Sequence, residues 1–237
     1  MLPWNAEDLI IDEERFRGTV RLFPLPDLVM FPHVMQPLHV FETRYRDLLN
    51  AALDSDGLIA MSLLAPGWEA DYEGRPKVLP HACLGKVVTH QRQDDGHYNV
   101  LLLGLRRILI ETELPPDRSY REAKAKLLDD FCYSENDGAR EALQAELTEK
   151  FQECLPQGQP SNPNVEELLS AEIPLGVLTD LVSFALPLDL QTKSLLLGEN
   201  DIDRRATMLL NALNNSGKVE RRFSRGSGGY LPPFSTN

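Results

Sequence analysis

Between residues 120 and 128 apolar and polar positions alternate, Ala123, Ala125 and Leu127 falling between Glu122, Lys124 and Lys126. A period of two predicts a strand with one buried and one wet face. Residues 83–92 and 98–110 are two more strand-like runs, joined by Gln93-Asp94-Asp95-Gly96-His97, where Asp-Gly supplies the positive backbone angle of a tight hairpin turn. Residues 58–64 read as a buried strand. Residues 19–25 read as another, closed by Pro24 and Pro26, with a further extended apolar run at 28–31 before Pro32. One helix interrupts the strands. From Glu42 onward Tyr45, Leu48, Leu49, Ala52 and Leu53 recur at spacings of three and four, with Arg44, Arg46, Asp47 and Asn50 largely on the other side, until residues 54–57 end it.

Residues 65–80 hold Pro66, Gly67, Gly74, Pro76 and Pro80, the composition of a long irregular excursion. Loops of that length are usually functional or mobile. Beyond residues 134–138 the period changes to 3.6. Leu143, Leu147 and Phe151 form one stripe of a helix that stops before Pro156, and 156–164 is a linker rich in Pro, Gly, Ser and Asn. Four helical segments follow at 165–171, 175–186, 190–198 and 202–213, with Asp189 and Asp201 as N-caps and Gly198 just past a C-terminus. Their apolar stripes need partners, so a small bundle is expected. The pattern predicts an α+β chain in four parts: an acidic leader at 1–17, a β domain at 18–133, a helical subdomain at 134–215 and a flexible tail at 216–237.

Composition narrows the function classes. The 237 residues, 42% hydrophobic, suffice for a real core that buries roughly 70% of the unfolded surface. No apolar run approaches the ~18 to 20 residues of a membrane-spanning helix, and the start of the chain shows no export signal, so a cytoplasmic protein without a membrane partner is expected. Cys83, Cys132 and Cys154 are odd in number and widely spaced, which suits reduced thiols. A net charge of −12 repels phosphate backbones and disfavours nucleic acid as a partner.

Three stretches carry a family likeness. The first is Leu22-Phe23-Pro24-Leu25-Pro26, then Val29-Met30-Phe31-Pro32, then Pro37-Leu38-His39-Val40-Phe41-Glu42-Thr43-Arg44-Tyr45. The second is Leu84-Gly85-Lys86-Val87-Val88 with Leu103-Gly104-Leu105-Arg106-Arg107-Ile108. The third is Phe184-Ala185-Leu186-Pro187-Leu188, Gln191-Thr192-Lys193 and Asp203-Arg204-Arg205. In this order and spacing they resemble the amino-terminal, substrate-binding domain of Lon proteases, in its stand-alone bacterial form. The resemblance implies a PUA-like β-barrel followed by a helical bundle, and a proteolysis-associated role in recognising polypeptides. His33 stands where the family often has glycine, so the turn there is expected to differ.

The chemistry of a complete Lon is missing from the sequence. It holds no G-x-x-x-x-G-K-[ST] loop and no G-x-S-x-G elbow, so neither a nucleotide motor nor a peptidase is expected, and no cofactor or metal is assigned. His81, Cys83, His90 and His97 are read as unrelated histidines and a core thiol rather than metal ligands. Arg44 and Tyr45 are read as anchoring the helix start, and Arg106 and Arg107 as lying on a solvated face. Binding of unfolded polypeptide needs uncovered apolar surface, and Trp68 and Tyr72 in the long loop are candidate contacts, along with Phe223, Tyr230 and Phe234 in the tail. The expected function is therefore a non-enzymatic recognition module for unfolded segments or a protein partner, with a separate protease or chaperone among the candidate partners. The alternatives are an RNA-binding PUA-like protein, and a cryptic enzyme using His81, His90 or His97 with a carboxylate.

Overall fold

A computed structural model of the chain describes residue 11 and residues 16–132, 137–154 and 173–215. The chain divides into two compact units, the first running to Asp129 and the second beginning at Asp130.

The first unit contains β1 (Thr19–Leu25), β2 (Met35–Val40), α1 (Thr43–Leu53), β3 (Leu58–Leu64), β4 (Val78–Arg92), β5 (Tyr98–Glu113) and β6 (Arg121–Leu128), with a 3-10 turn at Trp68–Asp71. The strands form one mixed sheet in the order β2-β5-β4-β3-β1-β6, in which β1 and β3 are parallel and the other neighbours antiparallel. The PUA-like β-barrel implied by the resemblance is corrected by this topology. Closure abolishes sheet edges, whereas β2 pairs with β5 alone and keeps one edge, although β5 also pairs with β6. The cause is the length of β5. At 16 residues it serves β2 with its first part, from Tyr98 to Leu103, and β6 with its last, from Arg107 to Glu113.

The core of this unit is made by Val20 and Leu22 of β1, Ala60 of β3, Ala82 and Leu84 of β4, Ile108 of β5, and Ala123 and Ala125 of β6. On β6 the expected alternation is present, buried Ala123 and Ala125 lying between exposed Lys124 and Lys126. The hairpin turn is also as expected: Gly96 has a φ of 84°, and Gln93 N–H donates to His97 O at 2.8 Å. β2 does not follow from periodicity. Gln36, Pro37 and Leu38 are buried in succession, so no alternation marks it, while residues 28–31 lie outside any strand, with 29–31 buried.

Gly104 explains how that segment is accommodated. A Cβ there would lie 2.1 Å from the Phe31 carbonyl oxygen, and the close approach is fixed by His33 N–H donating to Gly104 O at 2.8 Å and Gly104 N–H donating to Val34 O at 2.9 Å. His33 takes a φ of 65°, so it adopts the left-handed conformation that glycine favours. Arg107 corrects another expectation. It is 3% exposed rather than solvated, while its neighbour Arg106 pairs with Asp129.

The second unit contains α2 (Asp137–Cys154), α3 (Leu175–Ala185), α4 (Leu190–Gly198) and α5 (Ile202–Asn215). Helix α4 starts where its sequence says it should, the Asp189 carboxylate accepting from Thr192 N–H at 2.8 Å, and Asp201 caps α5 by accepting from Asp203 N–H at 3.0 Å. Leu147, Phe151, Leu178, Val182, Leu196, Leu197, Ala206, Leu209 and Leu210 supply its apolar core. Among them lies a charged side chain, Arg205, with no exposure at all. The segment 165–171, expected to be helical, lies outside the described residues.

Candidate functional site

Helix α1 begins at a residue whose side chain has another task. Glu42 occupies the N-cap position with extended backbone but makes no side-chain cap bond. Its Oε2 instead accepts from Arg44 Nε at 2.9 Å, and its Oε1 accepts from the Tyr72 hydroxyl at 3.1 Å. The carboxylate thus ties the helix start to the long loop between β3 and β4, thirty residues further on.

Arg44 reinforces the tie. Its guanidinium donates to the Tyr72 carbonyl at 3.3 Å and lies over two rings, 4.9 Å from the centroid of Tyr45 and 5.0 Å from that of Tyr72. A cation against the negative face of an aromatic ring is held electrostatically. Tyr45 continues inward, stacking on Phe23 with centroids 4.1 Å apart and donating its hydroxyl to Pro24 O at 2.9 Å. Trp68 continues outward, its ring meeting that of Tyr72 edge-on at 5.5 Å. A continuous column of Phe23, Tyr45, Arg44, Tyr72 and Trp68 therefore runs from the sheet core to the loop. The expected anchoring role is divided: Tyr45 fixes α1 to β1, whereas Arg44 fixes the loop.

The loop is held at further points. Ala65 N–H donates to Lys77 O at 2.7 Å across its base, and Arg75 donates to Glu113 Oε2 at 3.2 Å and to Leu114 O at 3.1 Å. Glu113 also receives Arg121 Nε at 3.0 Å. Burial pushes its carboxyl up, but the Arg121 and Arg75 guanidiniums outweigh that and hold it below the usual carboxylate range. Burial followed by the Glu42 charge raises the Tyr72 hydroxyl above its ordinary value, so it remains a donor at neutral pH. Trp68 and Tyr72 are both half-buried, and Glu69, Asp71 and Glu73 around them are exposed. Loop and aromatics are thus presented on a braced platform rather than folded wholly into the core.

The other candidates fall elsewhere. Phe223, Tyr230 and Phe234 lie outside the described residues. His81 and His90 are on the same strand, opposite Leu109 and Val100, and nine residues of strand separate them by about 30 Å. His97 is in the hairpin turn, its Nδ1 2.9 Å from Asp95, with its ring beside His39 at 5.4 Å and Phe41 at 6.0 Å. The three histidines therefore do not converge on one cleft, and the cryptic-enzyme alternative loses its geometry. Among the described residues no three His, Cys, Asp or Glu side chains are placed to hold a metal, and no helix is long and apolar enough to cross a membrane. An open surface depression of about 500 Å³ lies along α2, and among the described residues Glu141, Gln144, Ala145, Thr148, Glu149 and Gln152 line it without a nucleophile and base in contact.

Two features of the sheet unit are not set by local sequence pattern. The role of Glu42 depends on a partner thirty positions away, although its place in Phe41-Glu42-Thr43-Arg44-Tyr45 was a signal. Met35, 41% exposed, gives no warning because it enters a strand that periodicity does not reveal.

Comparison with known proteins matches residues 19–215 to the family described as ATP-dependent protease La (LON) substrate-binding domain. Among curated proteins, Lon protease of Desulfosudis oleivorans is 23% identical over 203 residues, covering 85% of this chain and 24% of the relative. Lon protease of Escherichia coli K12 is 25% identical over 198 residues, covering 84% and 25%. The chain thus spans about a quarter of the length of these relatives. Among solved structures, the N-terminal domain of Mycobacterium avium complex Lon protease superposes with a TM-score of 0.67 at 16% identity, over 83% of this chain and 98% of that one. A Lon N-terminal domain protein from Xanthomonas campestris gives 0.57 at 20% identity, over 81% and 97%. At these identities the two structures speak to the fold.

Proposed function

Because the chain belongs to the LON substrate-binding domain family, matched from residue 19 to 215, we propose that it is a non-enzymatic recognition module that binds exposed apolar segments of polypeptide or a protein partner. The family is the substrate-binding part of Lon, not its motor or its peptidase. Delivery of the bound chain to a separate ATP-dependent protease or chaperone, in the cytoplasm of a bacterium, follows from the same reading. Within the chain we assign recognition to two parts, a sheet domain at 18–133 and a helical part at 134–215, flanked by a leader at 1–17 and a tail at 216–237.

The observation that carries the reading to residues is the braced aromatic pair. Binding an unfolded segment needs apolar surface that is rigid, because each side chain ordered on binding costs roughly 0.5–1.5 kcal/mol. Trp68 and Tyr72 supply ring surface on a loop already fixed by Glu42, Arg44 and Arg75. Phe223, Tyr230 and Phe234 are assigned as a short linear motif for a partner. RNA binding has no such support. In the sheet unit Arg21, Arg44, Arg75, Arg106 and Arg121 each pair with a carboxylate, so these five guanidiniums are already engaged rather than offered to a phosphate backbone.

The test is a titration with a permanently unfolded, casein-like polypeptide and with a folded protein of similar size. Preferential binding of the unfolded chain is expected, weakened several-fold by Trp68→Ala. Equal and negligible binding of both would remove the reading.

A further inference from the structure

Among the described strands β2 alone has a neighbour on one side only, and such an edge offers a row of unpaired backbone groups to any second strand. Which groups face outward is fixed by two observations. Gly104 N–H donates to Val34 O at 2.9 Å, so the Val34 backbone faces β5, and alternation turns Gln36, Leu38 and Val40 the same way. Met35, Pro37 and His39 therefore face away, which agrees with the missing N–H of Pro37: opposite Leu101 its absence costs the ladder nothing. The outward row is interrupted at its centre. Pro37 has no N–H to give, and its carbonyl already accepts from Gln36 Nε2 at 2.8 Å. Complete donor and acceptor pairs remain along this edge at Met35 and His39, four residues or about 13 Å apart, neither with a further backbone partner among the described residues. Just before β2, His33 and Val34 both sit opposite Gly104, a bulge made with the φ of 65° at His33, and a bulge twists an edge away from an incoming strand. Gln36 itself is 2% exposed, and its Oε1 has no hydrogen-bond partner. A buried amide with one end unsatisfied costs stability that an apolar side chain of the same size would not. What the amide does in that place is close the Pro37 carbonyl.

We infer that Pro37 and Gln36 seal the β2 edge, so that a second copy of this chain cannot extend the sheet by pairing β2 with β2. Two such edges would otherwise meet antiparallel about a two-fold axis, a self-complementary contact that closes a dimer. With Pro37 closed, any register that spans it leaves the incoming strand with N–H and C=O groups that lose water and gain no partner. The seal is independent of what the aromatic loop binds.

The experiment compares the full chain with Pro37→Val, and with Pro37→Val combined with Gln36→Leu, by light scattering over a wide range of concentration and by amide hydrogen exchange resolved to single residues. The double variant is expected to assemble to about twice the wild-type mass as concentration rises, with exchange at Met35 and His39 slowed roughly tenfold. Pro37→Val alone restores the missing donor and keeps the native Gln36, so it should show the same change more weakly, and it decides the matter if the double variant does not fold. Exchange in β4 and β5 as slow as in the wild type separates assembly of the folded chain from unfolding. Variants that keep the wild-type mass and exchange at every concentration would overturn the seal. Assembly with unchanged exchange at Met35 and His39 would overturn it too, because the new contact would lie elsewhere. So would a wild-type chain in which those two amides already slow with concentration, since its edge would be paired without any substitution.

Discussion

Arg44 and Arg205 both belong to family-like motifs and both meet carboxylates, yet they sit in opposite surroundings. The Arg44 side chain is 24% exposed and its carboxylate partner 21%, and most of what it touches is aromatic ring. The Arg205 side chain is 0% exposed. Its Nη1 and Nη2 donate to the two oxygens of Asp130, Nη1 at 3.0 Å, while Nη1 also reaches Glu199 O at 2.8 Å and Nε reaches Thr179 at 3.1 Å. Asp180, equally buried, lies 3.6 Å from Nε. The difference separates two jobs. A fully buried, multiply bonded guanidinium fixes the helical unit and presents nothing to a ligand, whereas a half-exposed one fixes a loop whose outer rings stay available.

The contrast is tested most severely at Arg205. Arg205→Met should destabilise the helical unit by about 3–5 kcal/mol, because it removes the guanidinium beside the fully buried Asp180 and breaks the bonds to Asp130, Thr179 and Glu199 O. Hydrogen exchange should accelerate throughout α3 and α5, with the sheet unit unaffected. A loss below about 1 kcal/mol would show that the buried network is dispensable and would erase the distinction drawn here.

Lys193 sharpens the comparison from within the same unit. Its ammonium donates to Phe184 O at 2.8 Å and faces the Phe184 ring at 5.7 Å, but it has no carboxylate among the described residues. Burial holds its pKa down to about 8. An unfolded Lys titrates near about 10.4, so between these values the unfolded chain binds more protons and stability rises with pH. Below pH 8 the full cost of burying the charge is present, on the order of 1–3 kcal/mol. Lys193→Met should therefore stabilise the protein by about that amount at pH 7, and should abolish the rise between about pH 8 and 10. Parallel pH profiles for the two proteins in denaturant titrations would show that burial does not penalise this lysine.

How much of this was legible depends on whether the determining contact is local. The Asp94-Asp95-Gly96 hairpin, the alternation on β6 and the Asp189 and Asp201 caps are decided within a few residues, and each appears where its pattern puts it. β2 was not legible because Gln36, Pro37 and Leu38 are all covered, so burial does not alternate. The sheet's open edge was not legible either, since it depends on how β5 shares its length between β2 and β6. At the candidate site, composition pointed to Trp68 and Tyr72 as aromatics in a loop rich in Gly and Pro. The column that holds them was hidden, because Arg44 and Tyr72 are 28 residues apart and their pairing is a tertiary event. Arg107 and Arg205 were misjudged or missed for the same reason: a charged residue is buried only where distant partners satisfy it.

The smallest expected effect is the most specific. Tyr72→Phe removes one hydroxyl and leaves the ring, so the contacts to Trp68 and Arg44 survive while the bond to Glu42 is lost. A hydrogen bond to a charged acceptor contributes about 1.5–3 kcal/mol when buried, and partial exposure here reduces the expected cost to about 1 kcal/mol or less. If the loop is a braced platform, that cost should appear locally, as faster hydrogen exchange in residues 65–77 and a several-fold weaker grip on an unfolded polypeptide, with little change in melting temperature. Arg205→Met should do the reverse, losing stability while leaving whatever remains folded able to bind through the sheet unit. A Tyr72→Phe protein that melts much earlier, or binds as tightly as before with its loop loosened, would mean that the rings do not depend on the brace, and that Arg44 and Arg205 are both simply parts of the fold.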